Sequence, residues 1–173
     1  MRQRGHDGQD INPGRRAPEA LRLWSGRLTG ALGGAVAIAI MELFSAFSDF
    51  PLAAIPFATS IVLVMGSPDA VPAQPRALIG GHLVSALVGF AVLQASGPEA
   101  WAGALGLGLA IVAMHATGTF HPPAGINPLL IVVGNLPSSF LFVPVAAGAL
   151  LLTAFAFAWH NIGAEKSWPE RWW

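Results

Sequence analysis

Apolar residues run along this chain in long blocks separated by short polar or proline-rich breaks, and block length is the first thing to read. A helix needs roughly 20 apolar residues to cross a hydrocarbon core about 30 Å thick. Four blocks meet that length: residues 28–47, 77–95, 101–119 and 138–160. Two more fall short, "PFATSIVLVMG" from Pro56 to Gly66 and "PAGINPLLIVVG" from Pro123 to Gly134, and each opens with proline. The order is long, short, long, then long, short, long, with "ASGPEA" (Ala95 to Ala100) between the halves. Laid together, "PFATSIVLV" and "PAGINPLLI" share a leading proline, small and polar residues next, and then a branched apolar run. The pattern predicts an all-α membrane protein: four long transmembrane helices plus two short, proline-broken half-helices, arranged as two related three-segment repeats.

Paired proline-interrupted segments at matching positions of two halves point to a transport site. A helix that begins inside a membrane leaves its first N–H groups unpaired, and each unpaired amide in lipid costs several kcal/mol. An anion meets that need, helped by the partial positive charge of the helix N-terminus. Two arrangements are open at this level. Re-entrant short pieces give four crossings and parallel repeats; short pieces that complete a crossing with the stretch before them give six crossings and inverted repeats. Both leave the termini on one side, and Arg76 after the first short piece favours six.

Composition agrees with a bilayer environment. Of 173 residues, 54% are hydrophobic and 10% charged, with a mean hydropathy of +0.59; a soluble domain of this size carries far more charge. Net charge is zero, yet Arg2, Arg4, Arg15, Arg16, Arg22 and Arg27 all precede the first block. That asymmetry speaks for cytoplasmic termini in a bacterial inner membrane and against a nucleic-acid partner. Cysteine is absent, which removes disulfides and thiolate metal sites. No signal peptide is read at the N-terminus. Residues 1–22 are expected as a disordered basic tail, 23–162 as the transmembrane domain, and 163–173 as a short interfacial tail. Trp24, Trp101, Trp159, Trp168, Trp172 and Trp173 are placed as an interfacial aromatic belt. Gly30 with Gly34, and Gly81, Ser85 and Gly89, form small-residue ridges for close helix packing, within one chain or between copies in a homo-oligomer.

At "HPPAGINPLL" (His121 to Leu130) the sequence resembles the HPP family of integral membrane proteins, named for that His-Pro-Pro motif. The likeness extends over "IPFATSIVLVMGSPDAVPAQPRALIGGHLVSALVGF" (Ile55 to Phe90), similar to the family's PFGAS-like piece followed by QPR and GGH. The resemblance implies a four-helix membrane protein and, by way of plastid and cyanobacterial members, nitrite transport. The chain departs from the pattern at Ala58, where a PFGAS-like piece has glycine, and at Ile126, Asn127 and Pro128, where small residues are usual; those positions bear on substrate choice.

Candidate substrate contacts are His121, Pro122, Pro123, Gly125 and Asn127 in the second break and Thr59 and Ser60 in the first. A histidine can donate to an anion or exchange a proton. The prolines lack an N–H and so lower the number left unpaired, glycine admits a ligand to the backbone, and an asparagine amide both donates and accepts. The hydroxyls of Thr59 and Ser60 serve equally well bonded back to the preceding turn. Glu42, inside the first long block, is costly in lipid and is expected to face the bundle interior, paired with His82, His115 or free amides; these three are the proton-coupling candidates. Arg76, in the QPR stretch, is expected at the pore mouth. A weak-acid anion is open to protonation on the way, from His121 or Glu42. A metalloenzyme built on His82, His115, His121 and Glu42 lacks HExxH or paired histidine spacing, so neither enzyme nor metal nor cofactor is expected. A noncatalytic scaffold or sensor is the alternative to transport of a small inorganic anion, with nitrite first and nitrate, formate and bicarbonate after it.

Overall fold

The structure is a computed structural model and describes residues 13–47, 55–162 and 167–172. Every regular element among them is helical: α1 (Pro13–Phe47), α2 (Ile55–Gly66), α3 (Pro75–Ser96), α4 (Ala100–Ala116), α5 (Ile126–Val133) and α6 (Gly148–Asn161). Single 3-10 turns at Val71–Ala73 and Pro122–Gly125 precede α3 and α5, and a π-helical stretch, Leu141–Ala147, leads without interruption into α6. Pro144 lies inside that stretch; it has no N–H to give to the ladder, and a widened turn accommodates the missing bond.

Among the described residues, three helices are long and apolar enough to cross a membrane by length and composition: Leu23–Phe47, Pro75–Ser96 and Leu141–Asn161. The expected fourth, residues 101–119, is shorter. α4 has 17 residues, because Gly118 takes φ 64° and closes the helix, its N–H bonded to the His115 carbonyl and that of Thr119 to Met114. Asn135, at φ 45°, ends α5 in the same way. The helix at the N-terminus begins at Pro13, well ahead of the apolar block. Most of the expected basic tail, Trp173 and residues 163–166 of the expected C-terminal tail lie outside the described residues.

The two short helices each run back along a long one. On α1, a Cβ at Gly30 would meet the Met65 backbone and Gly34 faces Ile61, so α2 runs antiparallel to α1 with its end beside the middle of that helix. On α4, Gly103 faces Leu129 and Val133 while Gly125 faces Leu107, so α5 is antiparallel to α4 in turn. One core gathers α1, α2 and α6 around Met41, Phe57, Val64 and Leu152. A second gathers α3, α5 and the π-helical stretch around Ala86, Ile131, Phe140 and Val145, with α4 and α5 packed on α3 beside it. The ridge on α3 packs closely within the chain: a Cβ at Gly89 would stand 2.8 Å from Pro128 Cα, and one at Gly81 would stand 2.6 Å from His121 Cβ. Leu105, Leu109, Ile111 and Val112 of α4, and Leu28, Leu32 and Leu43 of α1, are exposed, as suits faces turned to lipid.

Candidate functional site

Where the two breaks meet, four polar side chains form a continuous string inside the apolar bundle. His121 precedes two prolines, and the clash of a proline ring with the residue before it drives that residue to extended backbone; His121 adopts φ −129°, ψ 95°. Its ring thereby reaches Ser60 of α2, Nε2 to Oγ 2.9 Å, and the Pro72 carbonyl, Nδ1 to O 2.7 Å. Ser60 Oγ also lies 2.9 Å from His82 Nε2, and Asn127 Nδ2 of α5 lies 3.1 Å from His82 Nδ1 and 3.1 Å from the His82 carbonyl. Ser60, His82, His121 and Asn127 all have 0% exposure, so neither lipid nor bulk water supplies their hydrogen bonds.

Donor and acceptor chemistry fixes the direction of the string. The Pro72 carbonyl only accepts, so His121 Nδ1 carries hydrogen. The His82 carbonyl likewise only accepts, which orients the Asn127 amide with its nitrogen toward His82. Asn127 therefore donates to His82 Nδ1, His82 Nε2–H donates to Ser60, Ser60 donates to His121 Nε2, and His121 Nδ1–H donates to Pro72. One N–H on each ring satisfies every contact. The remaining atom is Asn127 Oδ1, buried and accepting no hydrogen bond from the described residues. The Phe57 ring lies against His82 at 4.6 Å between centroids, and Ser85 donates to the Ala124 carbonyl at 2.6 Å, holding the second break on α3.

Pro72 has a second face. It walls a concavity of about 380 Å³ with Arg76, His115, Arg171, Gly118 and Phe120 among its lining residues. Arg76 Nη2 donates to the Thr117 carbonyl at 3.0 Å, and His115 stacks on Phe120 with centroids 4.0 Å apart. Gln74 anchors the far end of the chain here: its Oε1 accepts from the Glu170 N–H at 3.0 Å, and its Nε2 donates to the Pro68 carbonyl at 2.8 Å. The concavity thus holds two arginines and a histidine one residue contact away from the buried string.

Of the residues singled out in the sequence, His121, Ser60, Asn127 and His82 come together. Ser60 has only a 3.5 Å approach to the Pro56 carbonyl behind it, so its hydroxyl serves the histidines. Gly125 is buried and close to Leu107, and Pro122 and Pro123 form the 3-10 turn beneath His121. Arg76 lines the concavity. Four expectations are corrected. Thr59 is exposed, because it neighbours Ser60 on a helix and points about 100° away from it. Glu42 is exposed on the outside of α1 for the same reason, since Ala37, Met41 and Ser45 are the inward positions. His115 is exposed at the end of α4 and belongs to the mouth rather than to a buried pair with Glu42. Trp168, placed in the aromatic belt, is buried in the first core, whereas Trp24, Trp101 and Trp172 are exposed. Pro72 and Arg171 were not singled out, and Ser85 only as a packing position: a backbone carbonyl leaves no mark in a pattern, and nothing local shows that the chain end folds back onto Gln74.

Two transmembrane proteins of Dictyostelium discoideum are similar to the chain over 125 residues, at 38% and 37% identity. Each alignment covers 68% of this chain but only 40% and 44% of the relative, so the chain spans less than half the length of the curated relatives it matches. No solved structure is matched. The family described as "HPP, transmembrane region" matches residues 20–169, which take in α2, α3 and the His121 break. The chain belongs to the HPP transmembrane region family.

Proposed function

We propose that the chain is a membrane transport protein for small inorganic anions, nitrite foremost, with the mouth at Arg76, His115 and Arg171 collecting the ion and the buried string marking its route. The observation that carries this reading is the contact at Pro72, which joins a cationic concavity on one face to the His121 ring on the other. Two guanidinium groups in a concavity raise the local concentration of anions. A polar string at zero exposure inside an apolar bundle is costly unless function or full pairing accounts for it, and intramembrane ionisable groups mark ion pathways.

The transport reading extends to architecture. On this reading each short helix completes a crossing of its own, giving six crossings with α1 and α4 opposed. A single constant shift along the chain carries Ile55–Gly66 onto Pro122–Val133 and takes Pro56 to Pro123, Ser60 to Asn127 and Gly81 to Gly148. Ser60 and Asn127 are then equivalent positions of two inverted repeats, and they hold the two ring nitrogens of His82. Gly81 and Gly148 are the matching contact points, against His121 and Phe57 respectively. Sites at the junction of inverted, broken-helix repeats are a recurrent transporter design.

The test is uptake by purified protein in liposomes. Nitrite enters faster than into empty vesicles, with nitrate, formate and bicarbonate measured as competitors. Equal rates in protein-containing and empty vesicles for all four ions would overturn transport and leave the noncatalytic scaffold as the better account.

A further inference from the structure

The string that joins the breaks presents the wrong polarity for a bare anion. Every N–H and O–H in it is already given away: Asn127 to His82, His82 to Ser60, Ser60 to His121, and His121 to Pro72. The one group left over, Asn127 Oδ1, is an acceptor with no partner among the described residues, on a side chain at 0% exposure. An anion without O–H, such as nitrite, nitrate or formate, offers this oxygen only lone pairs and meets it with repulsion; a neutral molecule bearing O–H meets it with a hydrogen bond. A buried acceptor left unpaired costs about as much as a lost hydrogen bond, which gives such a ligand its driving force.

We infer that the species bound at Asn127 is the neutral conjugate acid of a small monoprotic weak acid, such as nitrous or formic acid, with its O–H donated to Oδ1. This rests on the transport reading above and narrows its substrate class. One proton from the water on the uptake side joins one anion, forming one O–H bond. On release that bond breaks, and proton and anion leave to the water on the other side; charge and atoms balance with nothing else consumed. His121 is not the donor, since both its ring nitrogens are engaged with Ser60 and Pro72. The neighbours of the string are the Phe57 ring on His82, the Pro72 carbonyl, and beyond it Arg76, His115 and Arg171; the two guanidinium groups suit the anion at the mouth, before it takes up the proton. Anions of strong acids, such as nitrate and chloride, satisfy the mouth but have no protonated form to offer Asn127.

The experiment uses the purified full chain in liposomes loaded with a pH-sensitive dye, with a membrane potential set by potassium and valinomycin. Nitrite and formate uptake, above the empty-vesicle rate, acidifies the lumen by one proton per anion and is unchanged by the potential; nitrate and chloride do not enter. Asn127→Leu, with a melting temperature near that of the wild type, loses uptake at least tenfold; if that variant does not fold, the wild-type proton count and voltage response decide alone. Nitrite entry without lumen acidification, or entry of chloride or nitrate at a comparable rate, would overturn the inference while leaving transport standing. Absence of entry by every ion would overturn both.

Discussion

At the scale of single residues, the buried string separates groups by what they leave unpaired. Ser60→Ala removes the one hydroxyl between two imidazoles and strands His82 Nε2–H and His121 Nε2 in the bundle. Each stranded group costs about 1–3 kcal/mol, so thermal unfolding in detergent occurs at a clearly lower temperature. Thr59→Ala, one position earlier but exposed, leaves the unfolding temperature and the uptake rate unchanged; equal effects from both substitutions would contradict the string. Much of this was legible in the sequence. His121, Ser60 and Asn127 stood out because histidine, hydroxyl and amide groups in an apolar run demand a reason. Thr59 and Glu42 were misplaced because the pattern within a helix that is apolar on most sides does not reveal which face turns inward.

At the scale of elements, close packing rests on glycine. A side chain at Gly89 meets the Pro128 backbone, which cannot swing aside as a side-chain tip can. Gly89→Val therefore lowers the unfolding temperature, by an overpacking cost of about 1–3 kcal/mol. Gly108, on the same bundle with open space around its Cα, accepts Gly108→Ala with no loss, because alanine is the better helix former by about 0.5–1 kcal/mol. The presence of two short helices followed from apolar block length, and α2 has its expected proline in the first turn, whereas α5 begins at Ile126, after a 3-10 turn that holds Pro122 and Pro123. The end of α4 did not follow from block length, since Gly118 lies within a block that reads as unbroken, and only its left-handed backbone stops the helix there. The crossing number separates cleanly by labelling. The chain has no cysteine, so Asp69→Cys and Ser138→Cys each introduce a single reactive site in an exposed loop. With six crossings, an impermeant maleimide reaches these two from opposite faces of an oriented membrane; with four crossings and re-entrant short helices, both react from one face.

At the scale of the whole molecule, the account joins a cationic mouth to a buried polar string through Pro72. The mouth acts by attraction, so Arg76→Gln raises the KM for nitrite about three- to tenfold with little change in maximal rate, and its effect shrinks as salt screens the charge. A maximal rate that collapses with KM unchanged would instead place Arg76 on the route itself. The mouth was half legible: Arg76 belongs to a sequence stretch that pointed to it, while Arg171 arrives through the folded-back chain end held by Gln74, a contact across most of the sequence. The most direct test of the central claim is the initial rate of nitrite uptake into liposomes containing wild-type protein or folded Ser60→Ala. Wild-type uptake well above the empty-vesicle rate, with Ser60→Ala reduced at least tenfold, is the predicted result. Equal uptake by the two proteins would contradict the string as the route.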